Sequence, residues 1–109
     1  MKLYELSAFS ETERRTLKLI AEYLGYRLGE IGGPVHCFTY KGLRWWYNRQ
    51  RYYKELEWHT VERNIRRLAE LGWLQRRIYP HKGAKRAVFC LTERLERMLK
   101  ELGWLGGGR

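Results

Sequence analysis

Apolar side chains recur every three or four residues in three stretches of the chain, and β-prone runs separate them. In the first stretch Leu17, Ile20, Ala21 and Leu24 lay one stripe along a helix. Ser10 followed by Glu13 forms a capping box that starts it, and Gly25 supplies a stop. Residues 26–34, with Gly29, Gly32, Gly33 and Pro34, read as a loop. The second stretch carries Val61, Ile65, Leu68 and Leu71 at i, i+4, i+7 and i+10, which predicts a helix ending near Leu71, with Gly72 just beyond it. His59, Arg63, Arg66 and Glu70 then point outward. The third, Leu95, Met98, Leu99, Leu102 and Leu105, predicts a helix over 93–105 capped by Thr92.

The segments between these helices are β-prone. Leu74 to Tyr79 and Arg86 to Thr92 flank Pro80, His81, Lys82, Gly83, Ala84 and Lys85, which gives a hairpin with a cationic tip. Val35 to Tyr40 and Leu43 to Tyr47 pair as a hairpin or supply a single strand. The alternative is one long helix on Leu43, Trp46, Tyr47, Gln50 and Tyr53, whose spacing also suits that period. Asn48 as an N-cap favours a strand followed by a short helix, Arg49 to Leu56. The resulting order is helix, strand, helix, helix, strand, strand, helix. No internal repeat stands out, and the expected division is one domain over 1–105 with a frayed glycine tail over 106–109.

Charge changes the picture more than length does. A chain of 109 residues suits one α+β domain that needs no metal or disulfide staple. Its net charge of +10 is segregated: residues 1–34 balance, whereas 35–92 hold thirteen basic residues against four acidic ones. A surface that displaces counterions from phosphates segregates charge in this way, so nucleic acid is the expected partner. No apolar run approaches the roughly 20 residues that span a bilayer, and no signal-peptide core is visible, so the expectation is an intracellular, cytoplasmic protein without membrane contact. Three scattered histidines and two cysteines offer no ligand spacing; no metal or cofactor is expected, and Cys37 and Cys90 read as buried thiols. His36, His59 and His81 make no His-apolar-His pair for a tyrosine nuclease, and no phosphate loop or carboxylate cluster appears, so catalysis is not expected.

Thr60-Val61, Ile65, Leu68 and Leu71-Gly72-Trp73-Leu74, followed by a basic hairpin closing on Leu91-Thr92-Glu93, resemble the winged helix-turn-helix family of small viral, plasmid and prokaryotic regulators. The likeness covers residues 43–92 and departs from the family pattern in a short, glycine-free turn between Leu56 and His59. It implies that the third helix enters the major groove of double-stranded DNA while the hairpin, or wing, lies on the backbone. His59, Thr60, Arg63, Asn64 and Arg67 are then the base-contact candidates, since arginine pairs with guanine and asparagine with adenine. Arg49, Arg51, Arg66, Lys82, Lys85 and Arg86 suit phosphates. Trp45, Trp46, Tyr47, Tyr52, Tyr53 and Trp58 beside arginines fit either base stacking, as in single-strand binders, or a core that fills the angle between helices; the core reading is preferred. The resemblance also brings the strand before the second helix against the last wing strand, which makes Cys37 and Cys90 neighbours and opens a disulfide to them in a hyperthermophile. The function implied is a sequence-preferring DNA-binding regulator. A replication-origin binder or a protein interaction module of viral or mobile-element origin are the alternatives. The 93–105 stripe serves either the domain's own core or a homodimer.

Overall fold

The computed structural model describes residues 6–31, 36–50 and 55–105. Ser10 opens the first helix as expected: its hydroxyl accepts from the Glu13 N–H at 3.2 Å, and the Glu13 carboxylate accepts from the Ser10 N–H at 2.8 Å. This helix, α1, runs Glu11–Ile31 and passes straight through Gly25. An interior glycine costs about 1 kcal/mol. Anchors beyond it offset that cost, for the Tyr26 ring lies 4.7 Å from Trp46 and Arg27 donates to the Cys37 carbonyl at 2.9 Å. The loop expected from residue 26 therefore cannot begin before 32.

After β1 (Cys37–Phe38) the chain departs from the expected strand and forms α2, Tyr40–Arg49. Thr39 is its cap, accepting from the Gly42 N–H at 3.0 Å. Leu43 is fully buried, with Trp46 and Tyr47 packed on the same stripe. Asn48 is thus an exposed residue inside the helix and not a cap. Gln50 closes the helix with extended backbone, so none starts at Arg49; residues 51–54 lie outside the described residues. The β-prone aromatic residues here also satisfy i, i+3, i+4 spacing, and burial against α1 decides between the two periods.

The third helix, α3 (Trp58–Glu70), buries Val61, Ile65 and Leu68 completely. Leu71, assigned to that stripe by spacing, is its cap residue and is exposed. The Gly72 N–H then bonds the Ala69 carbonyl and the Trp73 N–H the Leu68 carbonyl, with Gly72 at φ +87°, a Schellman stop. The last helix, α4 (Glu93–Glu101), ends the same way: Gly103 at φ +75° bonds Lys100, and Trp104 bonds Leu99. One short string, Leu-x-Glu-Leu-Gly-Trp-Leu, closes both helices at 68–74 and 99–105. It stops α4 short of the expected Leu105, which folds back into the core. A Cβ at Gly72 would meet nothing within 4 Å, so Gly72→Ala adds backbone strain alone. Its expected cost is about 1 kcal/mol. A urea midpoint equal to the parent's would contradict it.

Between α3 and α4, β2 (Leu74–His81) and β3 (Ala84–Leu91) form a longer hairpin than the sequence implies. The expected six-residue tip is a two-residue turn, Lys82 at φ 51° and Gly83 at φ 80°, both left-handed as a type I′ turn requires. Pro80 sits in β2, an edge strand that spares its missing N–H. The antiparallel sheet has the order β1-β3-β2. Cys37 faces Cys90 across it, and the two form a disulfide, not the two free thiols read from the sequence. The Leu91 N–H to His36 carbonyl bond makes the adjoining Cys37/Cys90 pair a non-hydrogen-bonded one, where side chains come closest. One sheet face carries Phe38, Leu74, Phe89 and Leu91 into a core shared with α1, α3 and the apolar side of α4 (Leu95, Met98, Leu99). The fold is α+β, with four helices and a three-stranded antiparallel sheet among the described residues, and is compatible with a small winged helical domain.

Candidate nucleic-acid interface

With Val61, Ile65 and Leu68 turned inward, α3 presents His59, Arg63, Arg66 and Arg67 to solvent, with Thr60 half-buried at its first turn. The five base-contact candidates are not equivalent. His59 lies 3.7 Å from Glu57. Arg67 is held by Glu13 of α1 at 3.4 Å. Asn64, expected at the edge of the exposed face, is buried, because it lies between Val61 and Leu68 on the side that packs against α1. Its amide donates to the Thr16 hydroxyl at 3.2 Å and to Thr12 at 3.3 Å, while Thr16 donates to the Thr12 carbonyl. Asn64 joins two helices and is closed to a base. Asn64→Ala should cost about 1 to 2 kcal/mol of stability in a denaturation series. A change in base preference, with stability intact, would contradict the buried assignment.

Arg63 and Arg66 have no such partners. Among the described residues, Lys41, Arg44, Arg63, Arg66, Arg76, Arg77, Lys82, Lys85 and Arg86 make no ion pair. Two of these cations, Arg66 of α3 and Arg76 of β2, act on Tyr40, the first residue of α2, as does Glu62 of α3. The Tyr40 hydroxyl is buried, and burial raises its pKa; the Arg66 guanidinium, the polar group beside it, opposes that rise most, while Glu62 adds to it and Arg76 opposes it. In the middle of α2, Arg44 lies over the Trp58 ring at 5.8 Å. The Tyr47 hydroxyl beneath donates to the Leu56 carbonyl, and its pKa is raised by burial and then by Glu57.

Strand alternation sorts the hairpin's charges. Register puts Arg76, Ile78 and Lys85 on the face that continues from the core toward Tyr40, and Arg77, Tyr79 and Arg86 on the other. Arg77 confirms the second set by donating to Gln75 at 2.8 Å and to the Tyr79 hydroxyl at 3.5 Å. Lys82 sits in the tip turn itself. Arg49, expected at the start of a helix, is instead the last residue of α2, with its guanidinium 4.8 Å over the Trp45 ring. Arg51 lies outside the described residues, as do Tyr52 and Tyr53.

No protein-family model and no curated protein matches the chain. Among solved structures it is similar to Stf76 from the Sulfolobus islandicus plasmid-virus pSSVx, at 18% identity and a TM-score of 0.45, over 84% of this chain and 96% of that one. So weak a likeness carries no functional argument. The described residues contain no helix long and apolar enough to cross a membrane and no group of three metal-ligating side chains.

Sequence reasoning missed Lys41, Arg44 and Arg76. The first two were hidden by reading 43–47 as a strand, yet Thr39 three residues before Gly42 carries the cap signal. Lys41, Arg44 and Asn48 then fall opposite Leu43, Trp46 and Tyr47. Arg76 required only strand parity with Leu74.

Proposed function

We propose that this protein is a non-enzymatic, sequence-preferring binder of double-stranded DNA of the winged helix-turn-helix kind, acting as a transcriptional regulator. The observation that supports this most is the meeting of Arg66 from α3 and Arg76 from the hairpin at Tyr40. It supports reading the exposed face of α3 and the basic hairpin as one surface. A helix of thirteen residues is about 20 Å long. A B-DNA major groove, roughly 12 Å wide, admits such a helix edge-on to the bases. In that placement Arg63 meets base edges, Arg66 and Arg76 meet the flanking phosphates, and Lys82 and Lys85 follow the backbone.

Selection of bound duplexes from a random pool tests the proposal. Enrichment of a short common motif is the expected result; no enrichment, with no duplex binding at low salt, would overturn it. Lys85→Ala should weaken binding to all duplexes alike and reduce the slope of log affinity against log salt by about one. A loss confined to one sequence would place Lys85 on a base instead.

A further inference from the structure

On the other side of the hairpin a cleft of about 660 Å³ opens between α1, α2 and β3. Tyr23 and Arg27 of α1, Lys41 and Trp45 of α2, and Tyr79 and Arg86 of the hairpin line it. Three cations and four aromatic rings, the fourth being the buried Phe38, therefore meet there, and no acidic side chain contributes to the lining. The inner wall is fixed in place. Arg27 donates to the Cys37 carbonyl at 2.9 Å and lies 5.6 Å from the Tyr23 ring. Tyr23 in turn closes on the first turn of α2, where a Cβ on Gly42 would fall 2.5 Å from the Tyr23 hydroxyl.

The outer wall is unlike the inner one. Trp45 is 45% exposed and Tyr79 46% exposed, among the few large apolar side chains that the fold leaves in water. Arg49 lies over the Trp45 ring at 4.8 Å and the Tyr26 ring is 5.8 Å from it, whereas Tyr79 makes no ring contact among the described residues and is the freer platform. Aromatic faces beside cations are what an unpaired nucleotide needs, since its base stacks and its phosphate is neutralised. A base inside a duplex has both faces already stacked and offers the cleft neither.

We infer that this cleft binds an unpaired nucleotide of a single strand, its base on Tyr79 and against Trp45 and its phosphates on Lys41 and Arg86. The site is separate from the outward face of α3, and it stands whether or not α3 reads a duplex. Fluorescence anisotropy with the full chain tests it, using labelled oligo(dT) of about ten residues, an abasic strand of equal length and a blunt duplex. Oligo(dT) should bind roughly 5- to 100-fold more tightly than the abasic strand. Tyr79→Ala and Trp45→Ala should each remove much of that difference, Tyr79→Phe should keep it, and the Tyr79 variants should bind the duplex like the parent. Thymidine monophosphate should compete only at far higher concentration; competition at equal concentration would overturn a strand as the ligand. Equal binding of the two single strands, or alanine variants that bind oligo(dT) like the parent, would overturn the cleft as a base site. The duplex arm is read separately, so failure there leaves the cleft untouched.

Discussion

Reducing the Cys37–Cys90 disulfide should lower the free energy of unfolding by about 4 kcal/mol, because the bond closes a loop with a sequence separation of 53 residues. Loop-closure entropy grows only slowly with length, but at this span it is already comparable with a large part of a small domain's net stability of roughly 5 to 15 kcal/mol. The loss should also be uneven. β1 has only two residues paired with β3, and it leads directly into the Thr39 cap of α2. Without the sulfur bridge, that strand and the first turn of α2 should exchange amide hydrogens earlier than α3 does. Urea denaturation with and without reductant, followed by hydrogen exchange, measures both effects. Identical midpoints would show that the sheet alone holds β1.

The second large effect is expected at Arg63. Of the five base-contact candidates, Asn64 is buried, Arg67 is tied to Glu13, His59 lies beside Glu57 and Thr60 is half-buried. Among these five, Arg63 is the exposed arginine that begins with no ion pair to break among the described residues. Arg63→Ala should therefore cost roughly 1 to 3 kcal/mol on the preferred duplex and flatten the preference. Arg67→Ala should cost less affinity, since its guanidinium already has a carboxylate partner, and part of its effect should appear as a weaker contact between α3 and α1. Titration of selected and scrambled duplexes at one salt concentration separates the two variants. Equal affinity of Arg63→Ala and the parent for the selected site would remove α3 from the reading role.

What could be read from the sequence follows how local each signal is. The α1 cap, the α3 stripe and the Thr92 cap of α4 rest on residues three or four apart, and each is present in the structure. The end of α1 and the nature of α2 were hidden because they depend on distant partners: Arg27 on Cys37, Tyr26 on Trp46, and Leu43 on the core. The hairpin tip reads too long from the sequence because Pro80 and Lys85 look like turn residues, whereas the edge strand β2 accepts Pro80, and Lys85 pairs with it from β3. Asn64 failed for the same reason as α2, since only the packing of α1 reveals the threonines that its amide meets. The cationic residues were legible as a set, and their sorting by face was not. That sorting needs the register of β2 against β3.

The polar clasp of Asn64 with Thr12 and Thr16 has a consequence for recognition. Apolar packing alone tolerates small rotations of a helix, but directional hydrogen bonds do not. Turning α3 by one residue would swing its outward groups through about 100° and pull the Asn64 amide away from both hydroxyls. The angular phase at which Arg63 leaves the surface is thus set by two threonines on another helix. Changes in α1 that never approach the outward face of α3 should redirect Arg63 and, on the proposed function, alter duplex preference.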